Sequence, residues 1–357
     1  MSGLFRNVKC VFSMVLKGRV ICIFYMVYVL FICSLLSSCP FMTKLNPLSI
    51  IIIDDFHPIF VEKLNNAGFN VTYLPHISGD EAISKIKDFD IVAVRSKVEF
   101  TKVLIQNLPN LKCIARGGAG MDNIDEEVAF SQNISLLNAP EGNRDAVAEH
   151  AVGLLLAFSN NIVKGHNEIK QNLWQREENR GFEIGGKTIG IIGFGNTGSA
   201  FAKKLSGFNC QVIFYDKYLD IPNNAYAKQV SLSELQNKAD IVSLHIPLTT
   251  ETIGMVNQDF LSSFKNKITL INTSRGKIVD TNIILENLIN NTLNGFLSDV
   301  LENERLSTYS IEEANKNKHL MKSDNVILTP HVAGWTTESY ERIALVLAEK
   351  LIEYKTK

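Results

Sequence analysis

Three ionisable residues in the second half of the chain share one kind of position: Arg275, Glu304 and His331 each stand a few residues beyond an apolar run. In an open parallel sheet that is the edge at which ligands bind. The residue types define a chemistry. A guanidinium grips a carboxylate through two parallel hydrogen bonds, an imidazole takes and returns a proton near neutrality, and a carboxylate beside it stabilises the imidazolium. Such a set suits hydride transfer at a carbon next to a carboxylate. Taken singly, each has a plainer reading as a solvated Arg, a surface Glu or a structural His.

A second pattern supplies the hydride partner. Gly193-Phe194-Gly195-Asn196-Thr197-Gly198 has G-x-G-x-x-G spacing, weak evidence alone but strong in this context. The apolar run Thr188 to Ile192 precedes it, a helical pattern from Ser199 to Ser206 follows, and the next run, Gln211 to Tyr215, ends in Asp216. Strand, glycine turn, helix and a later carboxylate form a dinucleotide site. The first glycine makes the turn, the second admits the pyrophosphate and the third lets helix pack on strand. The helix start offers unpaired N–H groups to phosphate, and Asp216 accepts ribose hydroxyls. That carboxylate favours NAD over NADP, a preference tempered by Lys217 next door.

The elements that must position these residues alternate short apolar runs with amphipathic stretches, the mark of a doubly wound α/β protein. Five runs (49–53, 71–74, 91–94, 113–115 and 135–137) predict a flavodoxin-like parallel sheet in residues 48–142. Runs at 188–192, 211–215, 241–244, 268–271, 295–298 and 326–328 predict a second sheet within 143–332. The apolar stretch Asp145 to Phe158 predicts a helix between the domains. A last helix, Glu338 to Tyr354, returns the segment 333–357 to the first domain, so the dinucleotide domain is an insertion. Residues 303–324, polar and Lys/Asn-rich, read as a surface excursion.

At 357 residues and 46% hydrophobic content the chain can bury two cores. Residues 1–41 carry four basic and no acidic side chains, leaving 32 basic against 37 acidic in the remainder, with no basic patch for nucleic acid. Within that segment Val20 to Leu36 is uncharged and mostly apolar. It reads as translated upstream sequence before a start at Met42, which places the protein in the cytoplasm, or alternatively as a signal peptide or membrane anchor. Four of six cysteines fall there or just before it ends; Cys113 and Cys210 read as buried thiols, with no metal site expected.

Together the blocks 118–125 (Gly118 to Asp125), Ala148-Glu149-His150, the glycine fingerprint, His245-Ile246-Pro247, Asn272-Thr273-Ser274-Arg275-Gly276 and Thr329 to Gly334 make residues 48–355 resemble the D-isomer specific 2-hydroxyacid dehydrogenases, most of all the D-3-phosphoglycerate type. The resemblance implies two doubly wound domains, a flavodoxin-like substrate domain with a Rossmann NAD domain inserted in it. It implies His331 as general acid and base, Glu304 orienting it, and Arg275 holding the substrate carboxylate. Gly193, Gly195, Asn196, Thr197, Gly198, Asp216, His245, Pro247, Thr273, Ser274, Arg275, Asp299, His331 and Gly334 would line the cofactor. The family's pattern has Pro where this chain has Arg305.

Substrate choice falls to residues facing the cleft from the first domain. Arg95, Ser96, Arg116, Gly118 and Asn143 are the candidates, with Arg95 and Arg116 able to meet a phosphate. The implied reaction is oxidation of 3-phosphoglycerate to phosphohydroxypyruvate, the first step of serine biosynthesis. The sequence stops soon after its last helix, so feedback by serine through a C-terminal regulatory domain is not expected. The alternatives are a reductase of hydroxypyruvate, glyoxylate or another 2-oxo acid, and a dinucleotide-sensing protein like the C-terminal binding protein corepressors. A homodimer through the cofactor domain is expected by analogy.

Overall fold

The computed structural model describes residues 47–221 and 224–357. The reading of residues 1–41 therefore lies outside the described residues. Among the described ones no single helix is long and apolar enough to cross a membrane.

The first sheet is built from β1 (Ser49–Ile52), β2 (Asn70–Tyr73), β3 (Ile91–Val94), β4 (Cys113–Arg116) and β5 (Ser135–Asn138). It is wholly parallel in the order β2-β1-β3-β4-β5, the flavodoxin-like arrangement expected. Every residue of β3 and three of four in β1 are buried, which is why these strands read as continuous apolar runs. Helices α1 (Pro58–Asn66), α2 (Gly79–Ile86), α3 (Lys102–Gln106) and α4 (Glu126–Ser131) alternate with the strands.

The long helix α5 (Pro140–Ser159) starts at Pro140, where a missing N–H costs nothing, and is followed by α6 (Ile162–Lys170). The second sheet contains β6 (Thr188–Ile192), β7 (Gln211–Tyr215), β8 (Lys228–Gln229), β9 (Ile241–Leu244), β10 (Thr269–Asn272), β11 (Gly295–Ser298) and β12 (Val326–Leu328). Its order is β12-β11-β10-β9-β6-β7-β8, also parallel throughout. Helices α7 (Asn196–Lys204), α8 (Leu232–Lys238), α9 (Gln258–Ser262), α10 (Thr281–Ile289) and α11 (Ile311–Lys322) connect these strands, and α12 (Thr337–Thr356) ends the chain.

The helix α5 packs against both α7 and α12, and α12 packs against α1, β4 and β5 of the first sheet. The contact of α5 with α12 depends on Gly142: a Cβ there would lie 2.6 Å from the Ile343 backbone. The apolar faces of α12 (Ile343, Ala344, Leu347, Ala348, Leu351) then close the core around Ile50, Phe60 and Ile91. The last helix thus packs on the first sheet.

Two sequence expectations need correction. Residues 303–324 are more than a surface excursion, since they contain α11, started by Ser310 and Glu313 in a reciprocal capping box. Cys113 is buried, and burial pushes its thiol up to about 12; Cys210 is only partly buried.

Candidate active site

The first element to position is the turn that carries His331. Asp299, at the end of β11 and 1% exposed, accepts the Thr329 hydroxyl (2.6 Å) and the Val332 N–H (2.9 Å) at Oδ1, and the Ala333 N–H (2.8 Å) at Oδ2. Its backbone carbonyl takes the His331 N–H at 2.8 Å. This cradle holds His331 at φ +53°, a left-handed conformation that a non-glycine residue adopts at some cost. Thr329 in turn accepts from His150 Nε2 of α5 at 2.9 Å, because its own proton is committed to Asp299. Asp299 was expected beside the cofactor; in this geometry it spends its oxygens mainly on the turn that carries His331.

Held so, the His331 ring meets Glu304, with Nδ1 at 3.0 and 2.8 Å from the two carboxylate oxygens. With Glu304 ionised, Nδ1 carries the proton and donates, leaving the Nε2 lone pair free. Both side chains are accessible, His331 at 47% and Glu304 at 43%. Arg305 does not disturb the pair: its N–H donates to Asn303 Oδ1, and its φ of −93° is more extended than a proline ring permits.

Arg275 follows β10, at the neighbouring strand end. Its side chain is tied down on two sides. Asp122 Oδ2, from the loop after β4, accepts its Nε–H at 2.7 Å and forms an ion pair with Nη2 at 2.7 Å, and the Ser274 carbonyl takes Nη1 at 2.7 Å. A guanidinium has five N–H donors. Two are donated and Nη2 faces Asp122 as an ion pair, so at least one remains on each of Nη1 and Nη2. Gly120 makes room for this pairing: a Cβ there would fall on Arg275 Nη2. Asp122 is the residue that sequence reasoning missed, although it lies inside a block already singled out; nothing local pairs it with an Arg 153 positions later.

Two more arginines stand nearby. Burial and the charge of Arg275 pull Arg116 down to about 10, still protonated at neutral pH. Its Nε is buried without a hydrogen-bond partner, and its guanidinium lies over Gly118, where φ is +151° and no Cβ could fit. Arg95 is also lowered by burial; its backbone N–H, with those of Ser96 and Lys97, binds Asp54 Oδ2, while its side chain makes one long contact to the Asp55 carbonyl at 3.5 Å. Among the described residues neither Arg95 nor Arg116 has a carboxylate within ion-pair distance. Asn143 Oδ1 is likewise buried and unpartnered, and its Nδ2 lies where a side chain on Gly334 would go, 2.6 Å from that Cβ.

At the glycine turn the three glycines have different surroundings. Gly193 has φ +89°, and a Cβ on Gly198 would strike the Gly193 carbonyl at 2.1 Å, so helix and strand touch there. A Cβ on Gly195 would meet nothing within 4 Å, and α7 begins at Asn196 and Thr197 with no side-chain cap. Open space before uncapped N–H groups fits a pyrophosphate. Thr273 Oγ1, buried without a partner, fits the same cofactor.

Other predicted cofactor residues are engaged with the protein itself. Asp216 accepts Phe194 N–H at 2.7 Å and the Tyr218 and Leu219 N–H groups at 2.9 Å each, which leaves about one of its roughly four acceptor positions. Lys217 is paired with Glu251 at 2.7 Å. Ser274 Oγ donates to the Leu244 carbonyl and accepts from Ile246 N–H, tying the ends of β9 and β10. His245 hydrogen-bonds Ser243 and Thr197, and burial lowers it to about 3, so it is neutral. Pro247 is exposed, its carbonyl accepting the Thr252 hydroxyl. No group of metal-ligating side chains occurs among the described residues.

Residues 152–333 match the model for "D-isomer specific 2-hydroxyacid dehydrogenase, NAD binding domain". A hydroxypyruvate reductase of Thermotoga maritima is 34% identical over 281 residues, 78% of this chain and 89% of its own. A D-3-phosphoglycerate dehydrogenase of Methanocaldococcus jannaschii is 32% identical over 305 residues, 85% of this chain but 56% of its own length. The solved D-lactate dehydrogenase of Aquifex aeolicus, complexed with NAD and lactic acid, superposes with a TM-score of 0.71 at 27% identity, covering 86% of this chain and 94% of its own. The chain belongs to the D-isomer specific 2-hydroxyacid dehydrogenases, NAD-dependent oxidoreductases of small 2-hydroxy and 2-oxo acids.

Proposed function

We propose that the chain is a D-3-phosphoglycerate dehydrogenase acting with NAD. The observation that carries this reading is the excess of arginine at the cleft: Arg275 has two free N–H donors, and Arg95 and Arg116 lack carboxylate partners. A substrate with one carboxylate would leave two partly buried guanidinium groups unpaired. A carboxylate on Arg275 and a phosphate between Arg95 and Arg116 match the charges present.

NAD, which the glycine turn at Gly193, Gly195 and Gly198 and the unpartnered Thr273 hydroxyl would hold, would supply the hydride acceptor for C2 of the hydroxy acid. The chain's own residues do the remainder. Arg275 offers its free Nη1 and Nη2 protons to the substrate carboxylate, holding C2 in place. His331 Nε2 takes the proton of the 2-hydroxyl during oxidation and gives it back during reduction. Glu304, on Nδ1, fixes the tautomer and stabilises the imidazolium that forms. The Lys217–Glu251 pair occupies the cation nearest Asp216 and so supports NAD over NADP. The apolar side chains exposed along α6 and just after it (Ile162, Val163, Ile169, Leu173, and Trp174 at 85%) suit burial in a homodimer through this region.

A second reading has one observation in its favour. The Thermotoga maritima relative, named a hydroxypyruvate reductase, is covered over 89% of its length. The test follows NADH absorbance of the full chain with phosphohydroxypyruvate, hydroxypyruvate, glyoxylate and pyruvate, for wild type and Arg116→Ala. A preference for phosphohydroxypyruvate whose KM rises in Arg116→Ala supports the proposal. An unchanged KM removes it in favour of the reductase.

A further inference from the structure

The guanidinium carbon of Arg95 lies 4.0 Å over the ring of Trp335, closer than any other cation–ring contact among the described residues. Arg95 comes from the end of β3 in the first sheet, whereas Trp335 sits four residues beyond His331, at the end of the catalytic turn. The indole is held from several sides. The main-chain N–H of Trp335 donates to the Val332 carbonyl at 2.8 Å, fixing the residue's backbone. Tyr340 meets its ring edge-on at 5.4 Å, and the Tyr340 hydroxyl donates to Asp55 at 2.6 Å. Asp55 also accepts from Tyr73, and burial with that carboxylate keeps the Tyr340 proton on. Thr336, the next residue, is fixed by its capping box with Ser339.

We propose that Trp335 sets the preference of the cleft for a second, distal anion by holding the Arg95 guanidinium against its ring. The inference rests on the phosphorylated-substrate reading above. An arginine with one 3.5 Å contact to a carbonyl has no strong polar anchor of its own. The stack supplies the anchor while using no N–H donor, so the periphery of the guanidinium stays available to phosphate oxygens. Trp335 is 48% exposed, so part of the ring borders solvent on the other side. The same contact links the distal-anion arginine to the turn that carries His331, which a lysine at position 95 could not do as well, having no planar face.

The experiment measures kcat/KM for phosphohydroxypyruvate and for hydroxypyruvate in the full chain and reads their ratio, which separates anion recognition from general damage. Trp335→Leu keeps apolar bulk but removes the ring; the ratio is expected to fall roughly tenfold, through KM of the phosphorylated substrate. Trp335→Phe retains a ring and most of the ratio. Arg95→Lys reads the contact from its other side, and in the Trp335→Leu, Arg95→Lys double variant the ratio falls little further than in either single variant. An unchanged ratio in Trp335→Leu, equal losses on both substrates, or full additivity in the double variant overturns the inference. A wild-type ratio near one overturns the phosphorylated-substrate reading first, and this inference with it.

Discussion

The two ends of the site treat their polar groups in opposite ways. Around the glycine turn, Asp216, Ser274 and His245 are bonded to the protein itself, so that the cradle is rigid before any ligand arrives. Across the cleft, Arg95 and Arg116 sit partly buried with few or no bonds, and Arg275 keeps two donors free. The first arrangement is preorganised shape, recognising a cofactor through backbone N–H groups and empty space. The second is stored positive charge, offset in part by the nearby carboxylates of Asp54 and Asp122 and open to an anionic substrate.

The sharpest way to break the contrast is at the residue that joins the two ends. His331→Ala leaves both the cradle and the arginines in place but removes the proton acceptor. Since the side chain is half exposed and makes no core contact, folding should be retained while kcat falls by about 10²–10⁴ on every 2-oxo acid tested. Turnover with NADH, alongside a thermal melt, checks this. Near-normal turnover would move the acid–base role elsewhere.

Asp122→Asn tests whether the charged end is organised or merely accumulated. The carboxylate makes one charge-assisted hydrogen bond to the guanidinium, in the range of about 1.5–3 kcal/mol when an ion is involved, and a second ion-pair contact through the same oxygen. Losing that anchor should lower kcat/KM by roughly 10- to 100-fold on phosphorylated and unphosphorylated substrates alike, because Arg275 serves the carboxylate they share. Steady-state kinetics on both substrates decide it, and an effect confined to the phosphorylated one would show that Asp122 serves Arg116 instead.

These residues also mark what could be read without coordinates. The strands were legible because parallel strands buried on both faces are unbroken apolar runs, as in Ile91-Val92-Ala93-Val94 and Ile241-Val242-Ser243-Leu244. The glycine turn was legible because its geometry tolerates few alternatives to glycine. The Glu304–His331 pairing was expected only from the family resemblance, and it forms because the strands the two residues follow, β11 and β12, are neighbours. Hidden were Asp122 on Arg275 and Trp335 on Arg95, contacts across 153 and 240 positions that no local period encodes. The helix Ile311–Lys322 was hidden for another reason: its face is so polar that only Asn317 and Leu320 are buried, and the cue was the Ser310 to Glu313 spacing of its cap.

The rigid end makes a prediction about pH. His245 titrates near 6.5 when unfolded and about 3 when folded, burial being the cause. Between those values the unfolded chain binds a proton that the folded one does not, so stability is complete above 6.5 and declines as pH falls, by up to about 1.4 kcal/mol per unit. Urea midpoints at pH 7 and pH 5 should therefore differ in the wild type. In His245→Gln the difference should shrink, even though the midpoint at pH 7 is lower from the lost Ser243 and Thr197 bonds. An equal pH response in the variant would assign the acid sensitivity to other groups.

The smallest effect is expected where the two ends differ least, at an exposed ion pair beside the Asp216 carboxylate. Glu251 holds Lys217 at 2.7 Å and also accepts the Tyr218 hydroxyl at 3.0 Å, while the Tyr218 and Leu219 backbone N–H groups keep Asp216 in place. Glu251→Gln releases the lysine charge without moving Asp216, and a free ammonium next to the ribose would attract a 2′-phosphate. Both partners are more than half exposed, so solvent screens the change and its scale is a factor of roughly two to five. The measurement is the ratio of KM for NADPH to KM for NADH, at low and at high salt. It should fall in the variant, and by less as salt rises. A ratio that does not move would place the whole of the NAD preference on Asp216, and replacing Asp216, not releasing Lys217, would then be needed to admit the phosphorylated cofactor.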